Sequence, residues 1–377
     1  MISDTMTNWE RIKAAIELRE VDRVPVVPYV YTYAAYYGGL SQAQVLRGNA
    51  LQWPMRDLFD AVGGCDGFLF APVDHTCLGL RVQPPTRGAA KLPGVDLPED
   101  AVWQYEEREG MTLEDYDRII EMGWKSYVLD LYQRELGLSP SRVKEIEDRS
   151  IERYRESIAY WDSLGTVILV GLSTIAPMHI FSLHRTFHEF TMDLFRRPEK
   201  VIAALEATVD DMIEAIIDIN RRINAPAVLI ALERGGGAFY SPKFFERFDL
   251  PYLRKLVNAI ISAGFIPVIY LETDWTLNLP YFKEFPKGKC LLGSDGTTDI
   301  FKAKEILRDH MCILGNVPPD LLQLGTIHDV ESYCKRLIDV VGEGGGFIMG
   351  TGSEVPTKAK FENLKAMIDI VKTYPSP

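Results

Sequence analysis

The chain has no run of 18 or more apolar residues, so no segment is built to span a bilayer. It has no CxxC pair. Cys65, Cys77, Cys290, Cys312 and Cys334 stand singly, and an odd number of isolated cysteines argues against a disulfide framework. The opening, MISDTMTNWERIK, lacks a basic start followed by an apolar stretch. No secretory signal is therefore expected, and a reducing cytoplasm is the expected location. Positive charge is also short. A net charge of −12 repels nucleic acid and anionic lipid, and it disfavours a polyanionic substrate unless basic residues line the pocket. There is no internal repeat and no low-complexity run.

What is present suits a soluble globular protein. Apolar residues make up 47% and charged residues 25%, which is ordinary for a packed domain. A length of 377 residues is long for one domain but fits a single large α/β barrel carrying an insertion. Near the start, Thr7 with Glu10 three residues on reads as a capping box, and Trp9, Ile12 and Ile16 share a helical face. This predicts a helix over 8–20. Eight short apolar runs follow, each ending in turn or polar residues: 24–30, 66–72, 167–172, 227–232, 266–272, 290–296, 312–317 and 346–352. Continuous apolar runs suit strands buried on both faces of a parallel sheet. Most are separated by segments of helical period, such as PEKVIAALEATVDDMIEAIIDINRRI. Eight strands alternating with helices predict a (β/α)8 TIM barrel, with an open doubly wound sheet as the alternative. The chain reads as one domain over 1–377. The polar stretch over about 78–163 reads as an insertion between strands two and three.

In such a barrel, chemistry gathers where strands give way to the loops that follow them. The first run leads into a tyrosine-rich stretch with Tyr29 and Tyr31, either a pocket lining or a wall packed on the first helix. The second leads to Asp74, His75 and Cys77. Histidines 179, 184 and 188 follow the third, at spacings that suit packing or surface positions on a helix. The fourth ends in Glu233 and Arg234, which together read equally well as a local ion pair. Beyond them lies GGGAFYSP with Phe239. The fifth ends in Glu272, Asp274 and Trp275, the sixth in Asp295, the seventh in Asn316, and the eighth in Ser353 and Glu354. Glycine-rich stretches here suit turns that close the barrel or backbone cradles for phosphate. Glu272 stands out. A carboxylate ending a buried strand is costly unless something uses it. If the strand persists, alternation turns Glu272 and Asp274 to the same side, toward the mouth. A carboxyl group in an apolar mouth has its pKa raised and can deliver a proton at neutral pH, or it can bind a divalent ion. The plainer reading has Asp274 capping the next helix and Glu272 paired to Arg234.

Four segments together resemble the uroporphyrinogen decarboxylase superfamily: RIKAAIELREVDRVPV, GGGAFYSPKFFERFDLPYLRKLV, DIFKAKEIL with MCILGNVPP, and GGGFIMGTGSEVPTKAKFENLKAMID. The resemblance runs over nearly the whole chain and implies the same barrel. The decarboxylase itself has an arginine-rich element near the first strand. Here that place reads VPYVYTYAAYYGG, with no arginine for a substrate bearing eight carboxylates. The superfamily's other branch exchanges methyl groups with a corrinoid. Its thiol-methylating members hold zinc with a His-x-Cys element after strand five and a Cys after strand eight. Here those places read Tyr270-Leu271-Glu272-Thr273 and Ser353, so zinc would lack thiolate ligands. The ETDWT and GNVPP elements look like those of O-demethylase members of the branch.

That resemblance implies transfer of a methyl group from a small methoxylated donor, an aryl methyl ether, to the cob(I)amide of a separate corrinoid protein. Glu272 would assist the leaving oxygen as acid or as a metal ligand, aided by Asp274. His75 and Asn316 would help bind the oxygen. Tyr29, Tyr31, Phe239 and Trp275 would grip the ring, and Glu233 and Ser353 would line the same pocket. A homodimer is also expected from the fold family. The alternative is a decarboxylase or lyase of a small carboxylic acid, anchored by Arg234 with Glu272 paired to it.

Overall fold

A computed structural model describes residues 4–47, 51–73, 78–85 and 90–375. Its strands are β1 (Gly67–Phe68), β2 (Ala90–Lys91), β3 (Gln104–Tyr105), β4 (Val167–Ile168), β5 (Val170–Ile175), β6 (Ala227–Leu232), β7 (Ile266–Leu271), β8 (Leu291–Ser294), β9 (Cys312–Val317) and β10 (Phe347–Thr351). Strands β5 to β10 form one parallel sheet in sequential order, and β1 pairs in parallel with β4. The extended segment 24–30 completes the ring. On one side Val26 bridges Met349 of β10, with Val27 N donating to Met349 O and Met349 N to Pro25 O, both at 2.8 Å. On the other side Asp66 N donates to Val26 O at 3.2 Å and Leu69 N to Pro28 O at 3.3 Å. Val170 N then donates to Leu69 O, and Ala227 N to Leu169 O. With β4 and β5 counted as one interrupted stave, the eight expected runs make a closed (β/α)8 barrel.

Alternate residues divide between two cores, as strand geometry requires. Inside the barrel lie Val27, Leu69, Leu229, Ala231, Val268, Leu291, Leu314 and Ile348. Outside, under the helices, lie Ile230, Leu232, Ile269, Leu271, Leu292, Ile313 and Met349. The first helix, Asn8–Ile16, plugs the floor with Ile12, Ala15 and Ile16. Its capping box forms: Thr7 N donates to Glu10 Oε2 at 2.9 Å and Glu10 N to Thr7 Oγ1 at 3.3 Å. The helix stops at Ile16 rather than residue 20, because Leu18 takes a left-handed φ of 59° that turns the chain toward the first stave. A buried ion network fixes this floor. Arg11 binds Asp22 at 2.6 Å and Asp66 at 2.5 Å, and Arg23 binds Asp66 at 2.7 Å. Asp66 also accepts from Val26 N at 2.8 Å, which ties the network to the first stave.

Between β1 and β4 the chain forms the β2–β3 antiparallel hairpin and three helices, Leu113–Met122, Trp124–Leu136 and Pro140–Ser163. Among the described residues, no helix is long and apolar enough to cross a membrane.

Candidate active site

The rim of the barrel follows from strand register. Leu232 of β6 pairs with Leu271 of β7, which pairs with Ser294 of β8. Glu233, Glu272 and Asp295 therefore succeed one another around the mouth. Glu272 N donates to Leu232 O and Asp295 N to Leu271 O, both at 3.0 Å. On β6, Ala227, Leu229 and Ala231 face the interior, so Glu233 continues the inward set. On β7, Val268 and Tyr270 do the same and lead to Glu272. The Tyr270 ring has room because residue 293, on the neighbouring strand, is glycine. A Cβ there would lie 2.8 Å from the ring.

Burial first, and then the charges of Glu233 and Asp295, push the Glu272 carboxyl up to about 7. Burial also raises Glu233, which the His179 ring and neighbouring Arg234 only partly offset. No hydrogen bond reaches either carboxylate among the described residues. Asp295, by contrast, is held in a turn: Oδ2 accepts from Thr273 N at 2.9 Å and Oδ1 from Thr297 N at 2.8 Å. Across the mouth, Glu354 is raised by burial and accepts from Thr32 N, at the start of the tyrosine-rich helix Tyr31–Tyr37. Tyr29 stands edge-on to Phe70, with ring centroids 5.2 Å apart. Burial drives its hydroxyl well above the usual range, and Glu354, Tyr270, Tyr31 and Glu272 add to this. Tyr270 donates to Gly352 O at 2.9 Å, with Ser353 beside its hydroxyl. The mouth thus gathers Tyr29, Tyr31, Glu233, Glu272 and Ser353 of the expected residues. It also holds Asp295 and Glu354, named at the strand ends without a role, and adds Tyr270.

Other expectations meet a different geometry. Strand β7 ends at Leu271, and Thr273 adopts a left-handed φ of 69°, so alternation does not carry past Glu272. Asp274 is consequently exposed, accepting from Thr276 N at 2.9 Å and from Thr276 Oγ1 at 2.5 Å. It caps the following turn and does not share the mouth with Glu272. Trp275 is wholly buried and packs edge-on to Phe245 rather than offering a face to a ligand. Phe239 is exposed on the outer lip, against Phe187 at 5.2 Å. Asn316 is buried, and its Oδ1 accepts from Tyr333 at 2.9 Å, so that oxygen serves the helix Ile327–Arg336. Arg234 reaches away to Glu107, beyond the β2–β3 hairpin, at 2.5 Å. Asp74, His75 and Cys77 lie outside the described residues. Among the described residues, no three His, Cys, Asp or Glu side chains converge to hold a metal ion.

His179, expected on a surface or in packing, is wholly buried behind this rim. Its Nε2 lies 2.8 Å from Asp249 Oδ2, and its Nδ1 accepts from Glu233 N at 2.7 Å and Arg234 N at 2.9 Å. The Trp275 ring stacks on it at 5.9 Å, and Trp275 Nε1 donates to Glu272 O at 2.8 Å.

An acidic, tyrosine-lined mouth on a closed barrel defines a TIM-barrel protein with its site on the strand-end face. Residues 139–374 match the family model described as uroporphyrinogen decarboxylase (URO-D), and the chain belongs to that family. A uroporphyrinogen decarboxylase from Pseudoalteromonas atlantica is 26% identical over 56% of this chain and 60% of its own length. One from Geotalea daltonii is 30% identical over 47% of this chain and 50% of its own length. The chain thus spans only half to three fifths of these relatives. A solved methyltransferase from Methanosarcina mazei superposes over 98% of this chain and 99% of its own, with a TM-score of 0.71 and 15% identity, and so shares the fold.

Proposed function

We propose that this chain is a methyltransferase that moves a methyl group from a small methoxylated donor, an aryl methyl ether, to a corrinoid carried by a separate protein. The observation that carries the reading is Glu272, half-buried at the mouth with its carboxyl raised to about 7 and no cation paired to it among the described residues. The partner's cob(I)amide supplies the nucleophile. The barrel's task is then to stabilise the oxygen that departs, which is a poor leaving group. At neutral pH a substantial fraction of Glu272 carries a proton, so it can act as general acid on that oxygen. Glu233 keeps the proton on Glu272 by repulsion. Tyr29, Tyr31 and Tyr270 offer ring faces and hydroxyls to a small aromatic donor. The fold family's methyltransferase relative and the absence of an arginine-rich first strand support the same reading. A decarboxylase anchored by Arg234 would need that guanidinium paired with Glu272 in the mouth, and it is paired with Glu107.

The test incubates the protein with cob(I)alamin and a panel of methoxyarenes while the methylcob(III)alamin spectrum is followed. Glu272→Gln, which cannot supply a proton, should slow the reaction by about 10²–10⁴-fold. Turnover by Glu272→Gln at the parent rate would overturn the assignment.

A further inference from the structure

The ring of His179 bonds directly to the end of β6 and reaches the end of β7 through Trp275. A ring nitrogen that accepts two N–H bonds carries no proton, so Nδ1 is bare where it meets Glu233 N and Arg234 N. The proton therefore sits on Nε2 and is donated to Asp249 Oδ2. A carboxylate that fixes a histidine tautomer in this way also fixes the orientation of the ring. The ring in turn stacks on Trp275, whose indole N–H holds the carbonyl of Glu272. Gly235 closes the arrangement: a Cβ there would lie 2.7 Å from Asp249 Oδ2 and 2.9 Å from the His179 ring. The other oxygen, Asp249 Oδ1, is buried with no hydrogen-bond partner among the described residues, a costly feature for packing alone.

We propose that His179, locked as the neutral Nε2–H tautomer by Asp249, is a positioning residue that sets the separation of the Glu233 and Glu272 carboxyl groups without touching substrate. This rests on reading Glu272 as the proton donor. The groups that face Glu272 are Glu233 from β6, Asp295 from β8, His179 from the helix Pro177–Arg185, Tyr29 from the first stave and Tyr270 from its own strand. Only the β6 and β7 ends are tied through His179. Asp249→Ala removes the acceptor to which Nε2–H donates and so frees the ring to turn.

The test uses the full chain. A 15N-histidine NMR spectrum, with the His179 signal assigned by its loss in His179→Phe, should show bare Nδ1 and protonated Nε2. His179→Phe keeps ring volume and stacking but removes the acceptor. It should lower kcat by about 10²-fold with KM within a few-fold, and displace the pH at which activity is half lost. His179→Asn, which returns an oxygen acceptor near Nδ1, should recover about tenfold of that loss. Faster hydrogen exchange at the amides of Glu233 and Arg234 in His179→Phe should accompany it. A protonated Nδ1, or a folded His179→Phe with unchanged kcat and pH profile, would overturn the proposal. Should His179→Phe not fold, Asp249→Ala is compared with the parent, and an unchanged His179 ring-nitrogen spectrum and pH profile overturns it equally. If the parent transfers no methyl group, the functional reading falls, while the spectrum and amide exchange still decide on the tether.

Discussion

Replacing Glu272 with glutamine should stabilise the fold at alkaline pH while disabling the site. The carboxyl ionises near 4.5 in the unfolded chain and at about 7 in the folded one. Between those values the folded state holds a proton that the unfolded state has released, so wild-type stability falls as pH rises and stays reduced above 7. Moving a carboxyl from 4.5 to about 7 is worth on the order of 3 kcal/mol, less whatever Glu233 takes up as the two titrate together. Glutamine removes that penalty and keeps the volume. Taking about 1–2 °C per kcal/mol for a chain this long, the thermal midpoint of Glu272→Gln should gain roughly 3–6 °C on the parent at pH 8 relative to pH 5. The comparison of two pH values cancels any difference in packing. Differential scanning calorimetry at matched scan rate reads it. A gap between variant and parent that is the same at pH 5 and pH 8 would mean that Glu272 is not raised, and the proton-donor argument would fall with it.

The floor and the outer loops give three further expectations. Arg11→Ala leaves Asp22 and Asp66 without their shared partner in a buried network, and should cost about 3–5 kcal/mol, read as a large drop in thermal midpoint. Arg234→Ala breaks a partly exposed pair with Glu107 and should cost less than about 1 kcal/mol, leaving donor KM unchanged in the methyl-transfer assay. Asp274→Ala removes a turn cap, so stability should fall by about 1 kcal/mol in denaturant titration while kcat is retained.

The barrel was legible because its strands are buried on both faces, which leaves an uninterrupted apolar run at each stave. Glu272 was legible for the same reason, as a charge where such a run ends. Tyr270 could have been found by counting two residues back from Glu272 along the inward set. Asp274 was misplaced because the alternation was carried through Thr273, where the backbone turns left-handed to receive Asp295. That turn depends on a side chain from the next strand, which no local pattern displays. His179 was missed for a like reason. In MHIFSLHRTFHEF it is one of three histidines at helical spacings, and what separates it is Asp249, seventy residues on. The end of the first helix was overrun because the apolar face continues past Ile16 while Leu18 breaks the backbone.

The seam between Val26 and Met349 has a bearing on how the molecule comes to be made. The first stave gains its second neighbour only when β10 arrives, close to the far end of the chain. During synthesis the early segment must wait as an open edge, its N–H and C=O groups available to any passing strand. The two prolines in VPVVP cannot donate to an intruder. An edge with two of its donors removed is a poorer template for mispairing.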